Sequence, residues 1–130
     1  MKTIFQLVFF LGISLASMGT ALAQQILPPA AFADSISDSR VLVLDVRSPK
    51  EFKQGSLAQA ININWNDTML FKENVEKLDK SRPMYIFCQS GIRSAKAAAY
   101  LRERGFTVFE LEGGLQKINN EQEQNPPSTD

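Results

Sequence analysis

The residues with the clearest chemical potential lie between positions 88 and 94, in the segment CQSGIRS, which holds the only cysteine of the 130-residue chain. An apolar run at 84–87 precedes Cys88, and a helical pattern that opens at Ser94 follows it. A thiol at the end of a buried strand, facing a helix N-terminus and an arginine, lies where a thiolate is stabilised. The pattern therefore predicts that Cys88 is a nucleophile rather than a core residue.

The segment also contains the groups needed to hold a negative sulfur. A free cysteine titrates near ~8.5, and a helix N-terminus contributes up to ~2 kcal/mol to an anion in a favourable site. We expect Arg93 to lower the pKa of Cys88 by a comparable amount. Successive amides from Gln89 to Ser94, with Gly91 permitting a positive φ, could wrap a thiolate or a persulfide.

The rest of the composition excludes several kinds of chemistry. The chain has no histidine, which removes Cys-His and Ser-His-Asp catalysis and leaves no plausible zinc cluster. One cysteine forms no internal disulfide and no C-x-x-C pair. We expect no metal and no organic cofactor. Fourteen basic and fourteen acidic residues balance, which argues against nucleic acid or an anionic membrane as the main partner.

The first 23 residues predict a signal peptide. Lys2 gives a minimal positive start, residues 4–15 are apolar, and 21–23 (Ala-Leu-Ala) fits a small-residue cleavage site. The run is too interrupted by polar residues to predict a membrane span of about 20 residues. We expect a periplasmic or secreted protein with one domain over 24–119, no membrane contact after cleavage, and a disordered tail over 120–130.

Apolar runs alternate with helical patterns along the domain. The runs predict strands at 41–44, 61–63, 83–87 and 107–111. The helical patterns predict helices at 30–36, 49–53, 67–78, 94–104 and 115–119. The side chains predicted to pack inward are Met69, Leu70, Val75 and Leu78 in one helix, and Ala95, Ala98, Ala99 and Leu101 in another. This alternation predicts an α/β fold, an open parallel sheet with helices on both faces.

Two strand ends bring unusual residues to one edge of that sheet. Cys88 follows one strand and 45–47 (Asp-Val-Arg) follows another, and sites in such sheets form beyond the carboxyl ends of the strands. We expect Arg47 and Glu51, four residues apart, to pair and hold the loops together. The Gly113-Gly114 pair predicts a turn.

At this point the residues resemble a known family. Cys-x-x-Gly-x-Arg-Ser after a strand, with Asp-Val-Arg-Ser-Pro-x-Glu-Phe upstream at 45–52, is similar to the rhodanese (thiosulfate sulfurtransferase) homology domain, and small periplasmic members in particular. The similarity continues at 60–63, 105–108 and 111–114. The chain departs from the family pattern at Ser56, at Gln59 and after the Gly-Gly turn.

The resemblance implies a rhodanese-like sheet of about five strands and a cysteine that alternates between thiolate and persulfide. Cys88 would be the catalytic sulfur carrier, and Arg93 would hold an anionic donor such as thiosulfate. The acceptor would be cyanide or a thiol, including the thiol of a protein sulfur acceptor. The substrate-binding residues that the resemblance implies are Gln89, Ser90, Gly91, Ile92, Arg93 and Ser94.

Three alternatives remain open. A phosphatase or arsenate reductase would also use a cysteine-arginine loop, but those loops place five residues between the two, whereas four separate Cys88 from Arg93. A persulfide relay docked to a partner would turn over little alone, and an exposed apolar patch including Trp65 would favour it. A redox-sensing thiol is disfavoured because no resolving cysteine is present.

Overall fold

The computed structural model describes residues 25–127 of the chain. Its strands are β1 (Ile26–Leu27), β2 (Leu42–Asp45), β3 (Ile61–Asn62), β4 (Met84–Phe87) and β5 (Val108–Leu111). They form one sheet in the order β1-β5-β4-β2-β3, and every pairing is parallel. The predicted α/β architecture is confirmed. The predicted signal peptide, 1–23, lies outside the described residues.

Within residues 25–127, five helices connect and cover the strands. They are α1 (Pro29–Ile36), α2 (Pro49–Lys53), α3 (Thr68–Val75), α4 (Ile92–Glu103) and α5 (Gly114–Gln124). Side chains that alternate along β2 and β4 feed two cores, one on each face of the sheet. In the first core, Leu44 and Ile86 pack with α3 and α4. In the second core, Val43 and Phe87 pack with α1, and Leu115 of α5 lies against them.

The inward faces of α3 and α4 differ in part from those expected. Met69 and Leu70 are exposed, and Phe71 and Val75 are buried in the first core with Leu78 packed against it. The stripe 71-75-78 has helical spacing, but Met69 and Leu70 offered an equally apolar alternative. In α4, the buried positions are Ser94, Ala97, Ala98 and Leu101, and both Ala95 and Ala99 are exposed. Since alanine occurs all round this helix, it does not identify the buried face.

Two terminal elements also correct the sequence expectations. Edge strand β1 was absent from the predicted strands because two residues are too few to show a periodicity. Helix α5 continues to Gln124, so residues 120–124 are not part of a disordered tail. Glutamate and glutamine favour helix, while Leu115 and Ile118 fix the helix start against the second core. Among the described residues, no helix is long and apolar enough to cross a membrane.

Candidate functional site around Cys88

The carboxyl ends of β2 and β4 meet at one edge of the sheet, with Asp45 paired in register with Phe87. Cys88 therefore follows β4 directly beside the end of β2. The chain turns through 89–91 and enters α4 at Ile92, two residues before the predicted start. Gly91 precedes the helix with φ of +96°, a conformation that side chains other than glycine rarely adopt.

The loop wraps its own backbone around the Cys88 sulfur. The amides of Gly91 and Ser94 donate to Sγ over 3.1 and 3.4 Å, and the thiol lies 3.4 Å from the Ser94 hydroxyl. With the thiol protonated, that hydroxyl accepts from Cys88 and donates its one proton to the Gly91 carbonyl over 3.2 Å. Beside a thiolate, the hydroxyl turns this proton to the sulfur. Cys88 has 0% exposed surface. The expected ring of amides therefore surrounds a sulfur that solvent does not reach in this conformation.

These contacts decide the ionisation of the thiol. Burial raises the pKa of Cys88, but the opposing effect is larger. The side-chain hydrogen bond with Ser94 and the hydrogen bonds from the amides of Ser94, Gly91 and Ser90 bring the net pKa below the ordinary value. Hydrogen bonds to the charged form are a direct way to favour a thiolate. Arg93, which the sequence led us to expect as an equal contributor, is not among the main causes for the pKa of Cys88. Its attraction to the thiolate is a minor one, named after Glu51 and burial among the causes that set the pKa of Arg93.

The amino end of α5 holds the loop in this shape. The amides of Leu115 and Gln116 donate to the carbonyls of Cys88 and Gln89 over 3.0 and 2.9 Å. With these two carbonyls directed to α5, the following amides are free to face the sulfur. A Cβ on Gly114 would lie 2.5 Å from the Gln89 carbonyl oxygen. The Gly-Gly pair is thus more than a turn, because only glycine permits this approach.

Arg93 lies at the rim of the site and is paired there. Its guanidinium donates two hydrogen bonds to Glu51, at 2.8 and 2.9 Å, and the two side chains are 25% and 31% exposed. Glu51 also closes a capping box with Ser48 at the start of α2. We call Arg93–Glu51 the rim pair. The expected Arg47–Glu51 pair is wrong, because Glu51 faces the cysteine loop.

Arg47 belongs to a second pair below the loop, which we call the buried pair. It contacts Asp45 through three guanidinium contacts of 2.8 to 3.2 Å, and Asp45 has no exposed surface. The Ser56 hydroxyl donates to the same carboxylate over 2.7 Å. Arg47 also donates to the Gly55 carbonyl and lies 3.4 Å from the Gln89 side-chain oxygen. Ser56, a departure from the family pattern, therefore stabilises the strand end.

The structure brings the predicted site residues together but gives them different surroundings. Gly91 and Ser94 contact the sulfur, and the Ser90 amide faces it. The Ile92 side chain is 65% exposed, so its part in the loop is backbone only. Two residues were missed. Glu51 was expected to pair with Arg47, and nothing in its spacing indicated that its partner is Arg93. The Gly113-Gly114 pair predicted a turn, but this pattern does not indicate that Gly114 packs against the Gln89 backbone.

A groove of about 350 Å³ lies beside the loop and not around the sulfur. Cys88 is not among its lining residues, and only Gln89 of the loop is. Arg47 and Leu57 contribute to it, together with Leu115 and Asn119 of α5. We place the chemistry at Cys88 because the hydrogen bonds to its sulfur are chemically specific, whereas the hydroxyl that lines the groove, that of Ser56, is bonded to the Asp45 carboxylate.

The chain was compared with known proteins. The family described as the rhodanese-like domain matches residues 28–121. A putative sulfurtransferase, YtwF of Bacillus subtilis, is 36% identical over 87 residues, which are 66% of this chain and 82% of that protein. A tRNA uridine(34) hydroxylase of Pelagibacter ubique is 35% identical over 88 residues, 67% of this chain but only 29% of that longer protein.

Solved structures agree with the fold. A rhodanese-related protein of Thermoplasma volcanium superposes with a TM-score of 0.65 at 31% identity, covering 74% of this chain and 92% of that one. A rhodanese-like domain protein of Staphylococcus aureus gives a TM-score of 0.63 at 26% identity, with coverage of 72% and 89%.

Proposed function

The chain belongs to the rhodanese-like domain family, and from that premise we propose that it is a sulfurtransferase that carries sulfane sulfur on Cys88. One observation supports this most strongly: two loop amides donate to the Cys88 sulfur, beside the Ser94 hydroxyl. Donors fixed around a sulfur stabilise its anion without a base. The relative YtwF of Bacillus subtilis is a putative sulfurtransferase, which is an activity of the same kind.

The proposed cycle has two displacements. The Cys88 thiolate attacks the outer sulfur of thiosulfate or a similar donor, an S–S bond forms, and sulfite leaves with the electron pair of the broken S–S bond. The product is the persulfide anion Cys88–S–S⁻. Cyanide or a thiol then attacks the terminal sulfur, and the Cys88 thiolate is released. The transferred sulfur stays at the sulfane oxidation level in the donor, in the persulfide and in the product, so the reaction requires no oxidant or reductant.

The surroundings of the loop favour sulfur over phosphoryl chemistry. Four residues separate Cys88 from Arg93, and the Arg93 guanidinium is occupied by Glu51 rather than directed at a phosphoryl group above the thiol. Because Cys88 has no exposed surface, the donor reaches the sulfur after neighbouring side chains move. A small donor such as thiosulfate needs less movement than a phosphorylated side chain.

The experiment is an intact-mass measurement on the chain after incubation with a sulfane-sulfur donor. We expect one added sulfur, about 32 Da, on a thiolate nucleophile, removed by cyanide and missing in Cys88→Ser. Ser90→Ala, an exposed change in the same loop, serves as the matched control and should retain the adduct. An adduct without steady-state turnover would support the persulfide relay instead. No adduct from any sulfane donor would overturn both.

We also propose that the protein works after export to the periplasm or outside the cell, on the basis of the signal-like residues 1–23. Expression of the full chain in a Gram-negative host, with fractionation and N-terminal sequencing, tests this. We expect a mature chain that begins near Gln24 in the periplasmic fraction. A full-length chain retained in the cytoplasm would contradict the proposal.

A further inference from the structure

The two arginines that adjoin the cysteine loop are both neutralised by carboxylates. Arg47 contacts Gln89 of the loop and is bound to Asp45, and Arg93 is bound to Glu51. The amides around the sulfur carry only partial charges. An anionic donor therefore meets no unpaired arginine beside the loop, although the resemblance had implied that Arg93 would hold it.

Glu51 is fixed by more than its arginine. One carboxylate oxygen accepts from the amide and hydroxyl of Ser48, at 3.0 and 2.8 Å, and from Arg93 at 2.8 Å. The other oxygen accepts from Arg93 at 2.9 Å. The hydrogen bonds from Arg93 lower the pKa of Glu51 to about 2. The carboxylate is therefore held in place by the helix cap and remains charged at neutral pH.

We propose that Glu51 determines donor specificity: by neutralising Arg93, it disfavours the dianion thiosulfate and favours sulfane donors with less negative charge. This inference rests on the proposed sulfurtransferase function and specifies its donor class. The favoured donors are monoanionic thiosulfonates and persulfides of small thiols. Glu51 does not touch the sulfur and acts through Arg93.

The physical basis is competition between two anions for one guanidinium. A donor sulfonate that approaches Arg93 must either displace the Glu51 carboxylate or lie beside it. The first requires breaking the rim pair and the second brings like charges together, so both disfavour a donor with an additional negative charge. The rim pair is partly exposed, so water and salt weaken this opposition. The effect should consequently be moderate, about five- to tenfold in rate for one extra charge near a protein surface.

The test compares two donors that differ by one charge. Thiosulfate is a dianion. Methanethiosulfonate is a monoanion with the same sulfane sulfur, because a methyl group replaces one oxygen. Each transfers that sulfur to Cys88 and releases sulfite or methanesulfinate, respectively, with the electron pair of the broken bond. The measured quantity is the ratio of kcat/KM for thiosulfate to that for methanethiosulfonate, with cyanide as acceptor.

In Glu51→Gln we expect this ratio to rise about five- to tenfold, the order expected for one partly screened charge, and to fall back toward the wild-type ratio as salt is added. Glutamine still fits a capping box, so α2 should persist. Asp38→Asn is the matched control, because it removes the same charge from the Arg40–Asp38 pair. This pair precedes β2 and so lies at the amino ends of the strands, away from the cysteine loop. Its ratio should equal that of the wild type.

A second variant removes the positive charge of the rim pair instead of the negative one. Arg93→Gln leaves Glu51 unpaired beside the loop, so the ratio should fall severalfold below the wild-type value. An unchanged ratio in both folded variants would overturn the inference and leave the proposed function intact. A wild-type protein that gains no sulfur from either donor would instead overturn the proposed function.

Discussion

The buried pair and the rim pair are the same chemical interaction in two environments. Asp45 and Arg47 are 0% and 6% exposed in their side chains, whereas Glu51 and Arg93 are 31% and 25% exposed. A buried ion pair resists the loss of either partner because the remaining charge is stranded in a medium that solvates it poorly. A partly exposed pair contributes little to stability and is free to serve recognition. The two pairs therefore differ in burial and not in the type of partner, and we assign a structural role to the buried pair and the proposed recognition role to the rim pair.

The largest expected effect separates the two pairs directly. Arg47→Met should lower the free energy of unfolding by about 3–5 kcal/mol, because it strands the Asp45 carboxylate. Arg93→Met, the matched change at the rim, should cost less than about 1 kcal/mol. Urea denaturation followed by circular dichroism measures both. Equal losses in the two variants would refute the assigned roles.

The approach of α5 to the loop gives the next effect. Gly114→Ala should cost at least about 2 kcal/mol, since a left-handed backbone (φ +64°) costs about 1–2 kcal/mol for other residues and the new methyl overlaps the Gln89 carbonyl. Gly105→Ala is also strained by a positive φ (+88°) but has open space around its Cβ. Thermal unfolding should show the larger loss at Gly114, with sulfur transfer impaired only there. A loss at Gly105 as large as at Gly114 would contradict the close-approach argument.

The Ser94 hydroxyl should affect the sulfur more than the fold. In Ser94→Ala the thiolate loses a hydrogen-bond donor, so the pKa of Cys88 rises and alkylation by iodoacetamide at neutral pH should slow roughly 3- to 10-fold, the loss of about one hydrogen bond. Ser90→Ala is the control, since Ser90 acts through its amide. A pH–rate profile that stays in place in Ser94→Ala would argue against the hydroxyl contact.

The smallest expected effect is the acid dependence of the rim pair. Hydrogen bonds from Arg93, together with those from Ser48, lower the pKa of Glu51 from 4.5 to about 2. The stabilising contribution of Glu51 is therefore complete above about pH 4.5 and is lost as the pH falls through about 2. Because the pair is partly exposed, the contribution should stay below about 1 kcal/mol. Denaturation of wild type and Glu51→Gln across this range should show a small difference that vanishes in acid. A difference that persists at the acid end would exclude this linkage.

The parts of the fold that depend on local sequence were predicted well. Strand β4, the cysteine loop and α4 follow from one apolar run, one glycine and one helical pattern. The start of α2 likewise follows from Ser48 and Pro49. Each of these features is determined by residues that lie within a few positions of one another in the chain, so it can be predicted from the sequence alone.

The contacts that assemble the site were not predictable in this way. Glu51 and Arg93 are 42 positions apart, and spacing alone favoured the wrong partner, Arg47. Gly114 meets the Gln89 backbone only after α5 docks. The buried face of α3 was also ambiguous, because Met69 and Phe71 are both apolar and only packing against β2 and β4 selects between them.

The central claim is that the backbone of 88–94 holds sulfur as an anion. Cys88 is the only cysteine, so the ultraviolet absorbance of its thiolate, followed against pH in the folded protein, reports its pKa without interference from another thiol. The account predicts a midpoint below the ~8.5 of a free cysteine that rises toward this value on unfolding. A midpoint at or above that of the unfolded chain would contradict the claim.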